Sequence, residues 1–184
     1  MTNHPEEGAQ RVSRGPAERS HLVMAGLMGV GKTTTGQALA EALGWDHVDS
    51  DHDIQTLFGQ TGQTIAAEAG VPVLHRLEAA VLLGALARSE PAVISAAGSV
   101  VEDPYVRRAL ASQATVVVLS LPPEATLDRQ GTGDHRRPMG AVELQALAEA
   151  RRPLFDEVAD LQLSTDRPTD ELVREVLEHL GRGG

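Results

Sequence analysis

The stretch that most constrains the fold runs over residues 21–44, HLVMAGLMGVGKTTTGQALAEALG. The apolar run HLVMAG ends on glycine and predicts a buried strand. KTTTGQALAEALG then predicts a helix, with apolar Ala38, Leu39 and Leu43 and a glycine stop at Gly44. Between them, Gly26 to Thr33 matches GxxxxGK[ST] in the strand–turn–helix setting that the motif requires. Glycines let the backbone curl so that successive N–H groups face a polyphosphate, and the helix start adds its positive end. Lys32 is the one lysine in 184 residues; the other 15 of the 16 basic residues are arginine. A compact ammonium fits such a nest, whereas a planar guanidinium is wider and fits badly. Gly29, Val30, Gly31, Lys32, Thr33 and Thr34 are therefore candidate ligands for a nucleoside triphosphate, with the Thr33 hydroxyl available to Mg2+.

The rest of the chain alternates in the same way. HVDSD predicts a weak strand, HDIQTLFG a helix, and 64–88 one long helix. AVISAAG and TVVVLSL predict two further apolar strands with the helix DPYVRRALAS between them. PPEATLDRQ predicts a short helix, and GTGDHRRPMG, rich in glycine and charge, a mobile loop over about 131–140. AVELQALAEARRPLFDEVAD predicts a helix broken near Pro153, and LQLST and PTDELVREVLEHL a last strand and helix. Continuously apolar strands separated by helices imply a parallel sheet of about five strands covered on both faces, an α/β fold in a single domain over 21–184.

Composition sets the outer limits. A net charge of −10 argues against nucleic acid as a partner. With no cysteine there is neither a disulfide nor a thiolate ligand, which fits a cytoplasmic setting. The longest apolar runs fall well short of the ~18 residues that a membrane helix needs. Residues 1–20 are polar, lack the apolar core of a signal peptide, and are expected to form a disordered tail. A monomer is the default expectation.

Acidic residues cluster after the second predicted strand, at Asp49, Asp51 and Asp53. On an extended segment Asp49 and Asp51 would share a face. At the C-terminal edge of a parallel sheet such a pair can hold Mg2+ through water and orient an acceptor hydroxyl. The alternative is a solvated acidic turn, with Asp53 capping the helix. Basic residues concentrate later, at Arg129, Arg136, Arg137, Arg151 and Arg152. Loop arginines at 136 and 137 suit closure over a transferring phosphate, and an exposed cluster is the alternative.

Taken together, the glycine-rich loop, DSD, the RRP of the loop and ARRPLF resemble the shikimate kinases from Val23 to about Leu177, in the family's order and close to its spacing. The resemblance implies a P-loop kinase of the nucleoside-monophosphate-kinase type with a mobile lid, dependent on ATP and Mg2+. It implies phosphorylation of shikimate to shikimate 3-phosphate, in aromatic amino acid biosynthesis. By the same resemblance Asp49 helps hold Mg2+, Asp51 contacts the acceptor hydroxyls, and Arg137 acts from the lid alongside Lys32. Arg151 binds the acceptor carboxylate, and Arg129 and Arg167 lie near the adenine.

Two departures fall on the acceptor side. The family's Phe-Arg-x-x-Glu pattern reads LHRLE here, so His75 takes the place of a carboxylate-binding arginine, with Arg76 one step on, and the preceding GQTIAAEAGVP is a few residues short. The family's Gly-Gly-Gly after the third strand reads Ala96-Ala97-Gly98, and the two added methyls are expected to narrow the site at Gly98. A kinase for another sugar acid, polyol or cyclitol, and a catalytically silent nucleotide-binding regulator, are the competing readings.

Overall fold

The computed structural model describes residues 20–122 and 140–182. The expected tail up to residue 19, most of the helix at PPEATLDRQ and nearly all of the expected lid, with Arg129, Arg136 and Arg137, lie outside the described residues.

Five strands form one parallel sheet: β1 (His21–Ala25), β2 (Asp46–Asp49), β3 (Ala92–Ser95), β4 (Ala114–Ser120) and β5 (Leu161–Ser164), in the order β2-β3-β1-β4-β5. Strands β1, β3 and β4 are apolar almost throughout because the sheet is covered on both sides, and the strand period of two divides their side chains between the layers. Val23 and Ala25 of β1, Ile94 of β3 and Val116 and Val118 of β4 enter one core. Leu22, Met24, Val93, Val117 and Leu119 enter the other.

The first layer is closed by α4 (Val71–Leu86), α5 (Pro104–Gln113) and α6 (Ala141–Val158), through Leu82, Leu110 and Phe155 among others. The second is closed by α1 (Lys32–Leu43) and α7 (Thr169–His179), through Leu39, Leu172 and Val176. Helices α2 (Ser50–Phe58) and α3 (Gly62–Glu68) pack on α4 around Ile54, Ile65 and Val81. No helix among the described residues is long and apolar enough to cross a membrane.

Two expectations about helices need correction. The single helix expected over 64–88 is two, because Gly70 at φ 93° leaves the helical basin and Pro72 then stands in the first turn of α4. Proline is tolerated there, where its missing N–H has no helical partner. The expected break near Pro153 is absent, since α6 runs unbroken from Ala141 to Val158. Pro153 is exposed, while Leu144, Arg151, Phe155 and Val158 anchor the helix on both sides of it. Burial along that face outweighs the ~3 kcal/mol that an interior proline costs.

Candidate active site

In an open parallel sheet, ligands bind beyond the C-terminal ends of the strands, where the strand order reverses. Here β1 is central, the chain crosses from it to the β2 edge, and the loop 26–31 leaves from its C-terminal end. Gly26, Gly29 and Gly31 have φ of 138°, 76° and 93°, a region closed to most side chains. A Cβ on Gly26 would stand 2.3 Å from the Leu119 carbonyl oxygen, so the loop can start there only without a side chain. Val30 is buried in the α1 layer and pins the loop from beneath.

Among the described residues no side chain caps α1, and its first turn holds no acidic residue, so the positive end of the helix dipole faces the loop. Lys32 Nζ donates to the carbonyls of Gly26 (3.1 Å) and Leu27 (2.8 Å), which holds the ammonium over the loop. The start of α1 is tied to the sheet by Ser95 Oγ, which donates to the Lys32 carbonyl at 3.1 Å and lies 2.9 Å from His47 Nε2. Burial lowers the pKa of His47, with the Asp49 charge pulling the other way.

Thr33 and Asp49, both expected at a metal, lie together: Thr33 Oγ1 donates to Asp49 Oδ2 at 2.7 Å. These are hard oxygen donors, the kind Mg2+ takes, and one or two of them suffice beside phosphate oxygens and water. Asp49 and Asp51 do not lie on one extended segment, however. Asp49 ends β2 and Asp51 lies in the first turn of α2. The helix cap is Asp49 rather than Asp53, with Asp49 Oδ1 accepting from the backbone N–H of Asp51 (3.0 Å) and His52 (3.3 Å). The cap goes to Asp49 because it keeps extended dihedrals, whereas Asp53 already has a helical place. Thr33, Asp49, Asp51 and His52 line an open cavity of about 710 Å3.

The residues expected to face the acceptor gather near the C-terminal end of β3. Ala96 and Ala97 are buried in the main core. Gly98 is the tight position. A Cβ there would stand 2.8 Å from the Gly26 carbonyl oxygen and 3.6 Å from Arg151 Nη1. Ser99 Oγ donates to the buried Glu78 carboxylate, fixing this loop to α4.

Arg151 is buried on α6, with both Nε and Nη2 2.8 Å from Glu102 Oε1. Glu102 Oε2 in turn lies 3.2 Å from His75 Nδ1. His75 therefore faces Arg151 across Glu102, while Arg76 is exposed on α4. Arg167 follows β5 on the same sheet edge and pairs with Glu175 of α7 at 2.9 Å. Glu102 is the residue that reading the sequence missed. The one signal available was an acidic residue four positions after Gly98, in the segment that follows the third strand.

The sheet order, the glycine loop with its lysine and the Thr33–Asp49 pair define a P-loop kinase for small molecules. A model of the family described as shikimate kinase matches residues 28–181. The chain is 36% identical over 171 residues to a shikimate kinase of Symbiobacterium thermophilum, covering 89% of this chain and 98% of the relative. It is 38% identical over 156 residues to one of Streptomyces coelicolor, covering 83% and 90%. A solved shikimate kinase from Acinetobacter baumannii, in complex with shikimate, superposes with a TM-score of 0.78 at 29% identity, covering 87% of this chain and 92% of that one. The chain belongs to the shikimate kinase family.

Proposed function

We propose that this chain transfers the γ-phosphoryl group of ATP to a hydroxyl of shikimate, giving shikimate 3-phosphate, as a cytoplasmic monomer. The observation that carries the reading is the placement of Lys32 over the glycine loop on the same sheet edge as the buried Arg151. The loop glycines and the positive end of α1 bind the β- and γ-phosphates, and Lys32 follows the γ-phosphoryl oxygens as charge shifts in the transfer. Thr33 and Asp49 hold Mg2+, directly or through water, and the ion when bound draws charge off the same oxygens. Asp51, exposed in the first turn of α2, orients the acceptor hydroxyl and takes its proton. Arg151 orients the acceptor through its carboxylate, with His75 opposite and Arg76 outside the contact set. Arg137 is assigned to the transferring group, and Arg129 and Arg167 to the adenine side.

The test is ADP formation from ATP and Mg2+ across a panel of shikimate, gluconate, quinate and cyclitols, with shikimate expected to give the highest kcat/KM. The Glu102 carboxylate beside Arg151 favours one second reading, an acceptor without a carboxylate, and the same panel decides it. ADP formation with no acceptor on the panel would overturn both.

A further inference from the structure

The group assigned to the acceptor's carboxylate already holds a carboxylate. Glu102 Oε1 takes the Nε and Nη2 edge of the Arg151 fork, both at 2.8 Å, and Oε2 reaches His75 Nδ1 at 3.2 Å. That edge matches one carboxylate at a time. The remaining nitrogen, Nη1, lies against Gly98, where the loop is packed on the Gly26 carbonyl.

The backbone that carries Glu102 is firmly held. It ends the tight turn Val100–Glu102, whose two valines are buried. The turn is held before it by the Ser99–Glu78 hydrogen bond and after it by Asp103, whose Oδ1 accepts from Tyr105 N–H at 2.7 Å. Arg107 Nη1 donates to the Val101 carbonyl at 2.7 Å. This frame fixes the backbone at Glu102 beside Arg151 and leaves the exposed carboxylate as the part that can turn away.

We infer that Glu102 is a specificity-determining residue: an internal carboxylate seated between Arg151 and His75 that a carboxylated acceptor must displace, so that the pocket discriminates little between an acidic acceptor and an uncharged one of the same shape. The inference rests on the assignment of Arg151 to the acceptor. Two carboxylates on one guanidinium edge repel each other at close range, and one must yield. Arg151 is 7% exposed and Glu102 43%, so Glu102 is the mobile partner and solvent screens part of the competition. The effect therefore falls at the lower end of the range for a charged hydrogen bond, about tenfold in affinity.

Titration calorimetry of shikimate and of its methyl ester tests this on the wild type and on Glu102→Gln and Glu102→Ala, with a thermal melt of each. The wild type is expected to bind acid and ester within about threefold of each other. Both variants should bind the acid about tenfold tighter while the ester moves by less than about threefold, a split that a merely structural role would not give. In turnover the gain should fall on KM for shikimate rather than on kcat. A wild type that prefers the acid by about tenfold or more overturns the inference without any variant, and so does unchanged or weaker acid binding in a folded variant. Phosphoryl transfer by the wild type is read separately. Its absence with a tenfold gain in the variants would sink the proposed reaction and leave the Glu102 inference standing. Transfer without the gain would do the reverse.

Discussion

Gly98→Ala is the substitution with the most to lose. An ordinary Cβ contact begins near 3.4 Å, and the added methyl would stand 2.8 Å from the Gly26 carbonyl oxygen. The neighbour is backbone and cannot swing aside. Gly26 cannot recede either, because its own Cα already faces the Leu119 carbonyl so closely that a Cβ there would come within 2.3 Å. The loop 96–99 must therefore move outward, against the Ser99–Glu78 hydrogen bond, or the glycine loop must distort beneath Lys32. Overpacking of this kind costs about 1–3 kcal/mol, or roughly 2–12 °C in melting temperature for a domain of this size. Function should suffer more than stability, because Gly98 lies against Arg151 and Gly26 accepts from Lys32. Displacement approaching 1 Å at such groups can cost about 100-fold, so kcat/KM for shikimate should fall by at least about tenfold. A melting curve and steady-state kinetics with both substrates varied decide it. A variant that melts within about 1 °C of the wild type and keeps kcat/KM within about twofold would show that the two loops are not packed as described.

Three further outcomes follow from the same geometry. Lys32→Ala should abolish turnover and leave the melting temperature nearly unchanged, since Lys32 contacts loop carbonyls rather than core, and Lys32→Arg should rescue poorly; turnover within about tenfold of wild type in the alanine variant would remove phosphoryl transfer from the account. Asp49→Asn should raise the Mg2+ concentration needed for half-maximal rate without loss of stability, because asparagine caps as well as aspartate, whereas Asp51→Asn should lower kcat at saturating Mg2+; wild-type behaviour in both would reduce the pair to an acidic turn. Burial lowers the pKa of His21, against the Arg88 and Leu86 backbone, and that of His47, so each stays neutral in the fold where the unfolded chain takes a proton; stability is complete above about pH 6.5 and drains away as pH falls toward the lowered values. The urea midpoint should thus drop between pH 7.5 and 5.5, and His21→Leu should flatten the drop; a midpoint that rises on acidification would contradict it.

Most of the fold was legible because its signals are local. The valines of TVVVLS and the run HLVMA are apolar at consecutive positions, which only a strand covered on both faces requires, and Gly44 ends α1 at φ 65° where it was expected to. The misreadings were contests between a local rule and the tertiary structure. Pro153 carries a strong local signal for a break, but Arg151 and Phe155 bury beside it and the helix continues. In the segment GVP the balance went the other way, for an unbroken apolar period hid a glycine at φ 93° that divides α3 from α4. Asp53 was expected to cap the helix, yet capping depends on dihedrals, and Asp49 at the strand's end has them.

The two halves of the site differed for a related reason. On the nucleotide side Gly26, Gly29, Gly31, Lys32 and Thr33 are neighbours in sequence, so one motif carries both their identity and their geometry. On the acceptor side His75, Glu102 and Arg151 come from α4, the turn after β3 and α6, and no spacing along the chain records that they meet. Burial supplies the missing constraint. A guanidinium as enclosed as that of Arg151 needs a counter-charge within hydrogen-bonding reach, and among the described residues Glu102 provides it. His75 stands where the resemblance expects an arginine, and Glu102 sets a carboxylate between it and Arg151. That is why the nucleotide half follows from the family pattern alone, whereas the choice of acceptor has to be argued from the charge that Arg151 already carries on its edge.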